Sequence, residues 1–355
     1  MWFEAVWSEA VWSEAVWSEA VWSEAVWSKL ASPASILLAA AGLDYIVGDP
    51  WSWPHPVQAM GKAINLYAQW ALSRMRSPQT MRGLGVVLGV GTIIGSALVS
   101  WAGLQIIEII APDSISPWLR WAAECVLLAS CFAGRSLRRA ADEVMIPLQR
   151  GDIASARQTL AMYVGRDTEQ LSEAEIYRAV LETASENAID GVLAPLFYAI
   201  LGACFGLAGP VAIAYKAAST LDSMVGYRRE PYRHLGWFSA RLEDALTCVP
   251  CRIGVLTIAL LSRRAGHVLR LCQRDADADP SPNAGWSECA YAAALGVQLG
   301  GENTYRGERK FKPLLGDALR PITCDVINEA FTLTRQSFLI GLIGGALGLY
   351  LISTV

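Results

Sequence analysis

GVLAPLFYAILGACFGLAGPVAIAY, Gly191 to Tyr215, runs for 25 residues without an Asp, Glu, Lys or Arg. About 20 such residues cross a bilayer as one helix, so this stretch decides between a soluble and a membrane fold. Two further windows share its character: Gly83 to Ile107 is uncharged for 25 residues and Phe338 to Val355 for 18. Charged residues make up 17% of the 355-residue chain, against roughly 25% in soluble domains. The pattern predicts an all-α, polytopic integral membrane protein. Leu30 to Val47, Trp118 to Gly134 and Ile253 to Leu261 are weaker candidates to cross.

The run itself is punctuated by Gly202, Gly206, Gly209 and Pro210, residues that interrupt helices. A single crossing would put ETASENAID (182–190) and STLDSMVGYRR (219–229) on opposite faces of the membrane. A re-entrant helical hairpin, turning around Phe205 to Gly209 and returning to Asp222, keeps them together. Irregular backbone at that depth needs protein around it. Arginines crowd the segments at Arg74/Arg76/Arg82 and Arg135/Arg138/Arg139, while Ala111 to Pro117 carries only Asp113; the positive-inside rule turns the first two segments to the cytoplasm. The sizeable polar helical segments then lie on that side. Gly85/Gly89 and Gly91/Gly95 repeat a small-xxx-small spacing that allows helices to approach closely.

Chemistry gathers where the run begins. Glu182, Glu186 and Asp190 are spaced i, i+4, i+8, which keeps all three on one helix face, with Arg178 one turn earlier. Like charges on adjacent turns need a cation, and Mg²⁺ suits one or two carboxylates plus phosphate oxygens. The plain alternative is a solvated acidic face partnered by Arg178. Asn187 lies in the same stretch. Asp222, at the end of the returning arm, is expected opposite Asp190, with Lys216 one to two turns deeper. Arg241, Asp244 and Arg252 add fixed charges suited to phosphates and carboxylates, and Arg166-Asp167 adds an opposed pair in a loop. His55, between two prolines, could be an acid, a base, a ligand or a hydrogen-bonded loop histidine. Cys248-Val-Pro-Cys251 lacks the second pair that a metal site needs. No G-x(4)-G-K-[ST] loop and no G-x-S-x-G elbow occurs, and nothing indicates a nucleic-acid partner.

Five copies of EAVWS occupy Glu4 to Ser28. A five-residue period spreads its tryptophans around a helix and alternates them on a strand, so residues 1–29 read as a low-complexity extension and 30–355 as the membrane-embedded catalytic domain.

Taken in order, DYIVGDP (44–50) with HPVQAMG (55–61), VGRDT (164–168), ETASENAIDGVLAPLFY (182–198), YKAASTLDSMVGY (215–227), LGWFSARLEDAL (235–246) with VPCR (249–252), SPNAGW (281–286), ALGVQLGGENTYRG (294–307) and KPLLG (312–316) resemble the adenosylcobinamide-phosphate synthase family of cobalamin biosynthesis, the CbiB/CobD membrane proteins. The chain departs from that pattern at Ser219 and Cys248, where asparagine is expected, and at Cys251, where alanine is usual. The resemblance implies an ATP-dependent ligation of adenosylcobyric acid with (R)-1-amino-2-propanol or its O-phosphate, at a site facing the cytoplasm from the cell membrane. It puts Glu182, Glu186, Asp190 and Asp222 in the catalytic role, the first three on Mg²⁺. It puts His55, Arg166, Asp167, Asn187, Lys216, Arg241, Asp244, Arg252 and Asn283 on substrates and phosphates, with ATP as co-substrate. Its expected partners are the corrinoid, the aminopropanol, the lipid bilayer, and either a second copy or other enzymes of the pathway. The competing expectations are a non-catalytic AmpE-like membrane sensor and a corrinoid-precursor transporter; neither needs the whole charge set.

Overall fold

The computed structural model describes residues 32–49, 55–74 and 77–353; the EAVWS tract and its proposed boundary lie outside these. The described chain is mostly helical. Four helices start on one signal, a capping side chain followed by proline: Ser32 before α1 (Pro33–Ile46), His55 before α2 (Pro56–Leu72), Ser77 before α3 (Pro78–Ile110) and Ser281 before the later helix Pro282–Leu295. The cap satisfies an otherwise unpaired backbone N–H, and proline needs none at that position. The chain continues through α4 (Ser116–Ala129), α5 (Gly134–Gln149), α6 (Ile153–Leu160) and α7 (Glu173–Ala188). Ser172 and Glu175 close a capping box at the start of α7.

A π-helical turn, Ile189–Leu193, then leads into α8 (Ala194–Ala203) and α9 (Ala208–Val225). These last two pack on each other, joined by the turn Cys204 to Leu207, in which Gly206 adopts φ +69°. A Cβ at Gly202 would stand 2.6 Å from the Leu207 carbonyl, so glycine permits the tight return. The chain therefore turns back on itself within the uncharged run, one to two residues earlier than the glycines and proline predict. Phe205 at the tip is 73% exposed.

Three described helices are long and apolar enough to cross a membrane: α3, α10 (Trp237–Leu261) and α13 (Cys324–Ser353). Their outward faces are apolar: on α10, Val249, Ile253, Leu256 and Leu260 form an exposed stripe at helical spacing, while Gly254, Val255 and Ile258 face the core. Unpartnered apolar stripes of this length fit lipid. The sequence marks only Ile253 to Leu261 here; the helix extends back to Trp237 through Arg241, Glu243 and Asp244, whose charges conceal it. Among the described residues, the helices at the other two weak candidates, Leu30 to Val47 and Trp118 to Gly134, are α1 and α4, 14 residues each, about 21 Å and shorter than the hydrocarbon core of a bilayer.

The all-α expectation is corrected in one place. After α11 (Ala265–Asp275) and α12 (Pro282–Leu295), the chain forms an antiparallel hairpin of β1 (Leu299–Tyr305) and β2 (Glu308–Leu315). Its two-residue turn, Arg306-Gly307, takes φ +54° and +80°, as a type I′ turn requires. The glycine spacing on α3 is half used. A Cβ at Gly85 would meet the Leu235 carbonyl at 2.1 Å and one at Gly89 the Phe238 ring at 2.6 Å, whereas Gly91 and Gly95 face open space.

Two hydrophobic cores result. One gathers α5–α7, α10–α12, the β-hairpin and the start of α13; the other gathers α1–α4, α8, α9 and the end of α13. The π-helical turn belongs to the first and α8 to the second, so Asp190 sits where they meet.

Candidate functional site

π-helical turns place one extra residue in a helix and recur at functional sites. Here the Gly191 carbonyl, whose i+4 residue Pro195 has no N–H to offer, accepts the Ala133 N–H at 2.9 Å. Asp190 consequently lies within electrostatic reach of Glu243, Glu186, Asp222 and Lys216. The returning arm brings Asp222 within electrostatic reach of Asp190, with Asp244, Glu186 and Arg228 acting on Asp222 itself. Among the described residues no hydrogen bond or ion pair engages the carboxylates of Glu186, Asp190 or Asp222.

Glu186 is exposed at the surface of its helix, with protein crowding around it. Loss of hydration there raises its carboxyl above the ordinary range; Lys312 and Arg166 oppose the rise, and Asp279 and Glu182 add to it. Asn187 is exposed beside it, donating to the Thr183 carbonyl at 2.9 Å.

Glu182, one turn back, has a different environment. It is 2% exposed. One oxygen accepts the Arg166 guanidinium and the other the Gly300 N–H at 2.9 Å, with Arg178 Nε at 4.0 Å. Arg166 and Arg178 also share Asn303 Oδ1, at 2.8 and 3.1 Å. The three carboxylates thus keep the spacing of one face, but Glu182 serves as the buried anchor of the β-hairpin. Asp167 does similar work at the hairpin's far end, accepting the Arg306 and Gly307 N–H groups at 2.8 and 2.7 Å. Together these two acids tie the loop after α6 and helix α7 to both ends of β1.

Other sequence candidates divide between cleft and scaffold. Asn283 is buried, accepting Arg252 at 3.0 Å and donating to the Asp244 carbonyl at 2.8 Å; Arg252 stacks over Trp286, 4.7 Å from its ring centre. Arg241 is exposed, its charge and that of Arg228 acting on Asp244. Lys216 is half-buried and reaches Asp44 and Asp49 as well as Asp190. His55 uses both ring nitrogens, accepting from Val57 N at 3.2 Å and contacting Asp49 at 3.1 Å, the arrangement of a cap. Desolvation would raise the Asp49 carboxyl, but His55 and Ser136 outweigh it and hold it below the usual range. Cys248 and Cys251 are free thiols.

Sequence reasoning passed over four groups. Glu243, 7% exposed, accepts Thr247 at 2.5 Å and faces Asp190. Glu288 on α12, Asp279 before it and Lys312 on β2 form a buried cluster beside Glu186. Lys312 Nζ is 2.6 Å from Glu288 and 3.8 Å from Asp279. Burial pushes the Glu288 carboxyl up and Lys312 draws it back, while Glu288 holds the Lys312 ammonium protonated despite burial. Glu243 and Lys312 lie inside recognisable motifs and Asp279 and Glu288 flank SPNAGW, but Lys312 meets Glu288 across 24 positions of sequence.

Hard carboxylate oxygens at Glu186 and Asp190 fit Mg²⁺ chemically. Among the described residues no three His, Cys, Asp or Glu side chains are arranged to hold an ion alone, so bound oxygens from a substrate would have to complete the shell.

The family model described as CobD/Cbib protein matches residues 37–334. A cobalamin biosynthesis protein CobD from Synechocystis sp. is 50% identical over 306 residues, 86% of this chain and 88% of that protein. A cobalamin biosynthesis protein CbiB from Salmonella typhi is 43% identical over 295 residues, 82% and 89% of the two chains. No solved structure matches.

Proposed function

Since the chain belongs to the CobD/CbiB family, we propose that it acts in cobalamin biosynthesis as a membrane-bound, ATP-dependent ligase. It joins a propionate carboxylate of adenosylcobyric acid to the amine of (R)-1-amino-2-propanol or its O-phosphate. The observation that supports this most is the convergence of Glu186, Asp190, Asp222 and Glu243 where the two cores meet, rimmed by Arg228, Arg241 and Lys216.

Amide formation makes two demands on such a cleft. The propionate must be approached by phosphate without repulsion, which the rim of arginines and Lys216 provides. The attacking amine must shed its ammonium proton, and a carboxylate raised by reduced hydration and by neighbouring carboxylates, as Glu186 is, is the better acceptor. Glu186 and Asp190 would hold Mg²⁺, which supplies charge neutralisation for the phosphate oxygens. Asn283 and Trp286 keep Arg252 in one orientation.

Membranes containing the protein, given adenosylcobyric acid, aminopropanol phosphate and MgATP, are expected to form the amide without a second enzyme. A sensor or transporter gives no product, and that result rejects the ligase.

The cleft faces the cytoplasm in this proposal, with the tip of the α8–α9 hairpin in the bilayer. A topology reporter fused after Tyr227 is expected to report the cytoplasm; a signal from the opposite face would mean that the hairpin arms do not return to one side.

A further inference from the structure

Two buried carboxylate oxygens beside one lysine lack a hydrogen-bond partner: Glu288 Oε2, and Asp279 Oδ2, which lies 3.8 Å from Lys312 Nζ, beyond hydrogen-bond distance. Glu288 is 0% and Asp279 9% exposed. An unsatisfied buried acceptor is costly, and here two converge. Their other oxygens are engaged, Glu288 Oε1 by Lys312 and Asp279 Oδ1 by the Ser281 N–H at 2.8 Å. Glu186, facing the same lysine, gives a third carboxylate and an opening to water. One ammonium thus serves three carboxylates, and the cluster calls for another cation. A metal ion is disfavoured by the donor arrangement, whereas Lys312 demonstrates the fit of a primary ammonium, with its three donors, to these acceptors.

We propose that Asp279 and Glu288, with Lys312 between them and Glu186 at the opening, form a docking subsite for a primary ammonium. Resting on the ligase reading, the ligand is the amine co-substrate. Lys312 fixes the two acids in place, and the two oxygens without a hydrogen bond, Glu288 Oε2 and Asp279 Oδ2, take the incoming ammonium. Docking there sets the amine beside Glu186 and one helical turn from Asp190. The assignment gives the β-hairpin a purpose: β2 carries Lys312 into the cleft, and Glu182 and Asp167 hold the hairpin still.

Calorimetric binding of (R)-1-amino-2-propanol to the purified full chain in detergent tests the subsite without turnover. Asp279→Asn keeps the acceptor for Ser281 N–H and removes the charge, and is expected to weaken binding about 10- to 100-fold, the effect of one charge-assisted hydrogen bond. Lys312→Arg keeps the charge. Its guanidinium fork can take both free oxygens, so it too is expected to weaken amine binding by at least about tenfold. Amine affinity within about twofold of wild type in both variants, or no amine binding by the wild type, overturns the subsite. In the product assay, the amine KM is expected to rise in both variants with the corrinoid KM unchanged; parallel rises overturn it. A wild type that binds amine but forms no amide overturns the ligase reading and leaves the subsite standing.

Discussion

Glu182→Ala is expected to cost the protein about half of its margin of stability. The side chain is 2% exposed, and its loss strands the Arg166 and Arg178 guanidiniums, themselves 9% and 16% exposed, together with the Gly300 N–H. Removing one member of a buried ion pair typically costs about 3–5 kcal/mol, roughly half the margin of an average domain. In detergent the thermal midpoint should fall on the order of 10 °C. Glu182→Gln, which still accepts from Gly300, should fall by less. An alanine variant as heat-stable as the wild type would show that the β-hairpin does not depend on this anchor.

The contrast between Glu182 and its neighbours marks the limit of sequence reading here. Helical spacing placed Glu182 and Glu186 on one face, because α7 is regular through Ala188, whereas Asp190 lies beyond it in the π-helical turn. Spacing carries no information about what covers that face. The cover is β1, whose LGGENTY shows no alternation of apolar and polar residues and whose Gly300 and Gly301 take φ +87° and +94° beside an irregularity in register. Such a strand is held from outside by Arg178, which donates to the Gly300 and Glu302 carbonyls, and tertiary support of that kind leaves no periodic trace. The turn between α8 and α9 was legible for the opposite reason: Gly202 and Gly206 act locally, through contacts within a few residues. Helix α10 falls between the two cases. Its apolar half was visible, and its charged half became helical in sequence terms only once Glu243, Asp244 and Arg252 were seen to face the cleft and α12.

The second large effect is catalytic and falls one turn along α7. Glu186→Gln is expected to leave the folded protein at wild-type level while lowering amide formation by about 10²- to 10⁴-fold, the range for loss of a general base. No described hydrogen bond or ion pair depends on the Glu186 side chain, and reduced hydration together with the neighbouring Asp279 and Glu182 already disfavours its charge, so a neutral isostere is not expected to cost stability. Stability and turnover therefore move apart at Glu186, where at Glu182 they fall together. A Glu186→Gln variant that turns over at the wild-type rate, with protein level matched, would remove Glu186 from the chemistry. The Mg²⁺ dependence of the residual activity then separates the two roles open to this carboxylate. If Glu186 holds the ion, the Mg²⁺ concentration for half-maximal rate rises in the variant. If it accepts the amine's proton, that concentration stays where it was, and the loss appears at saturating Mg²⁺ and amine, because a positioned base cannot be replaced by mass action.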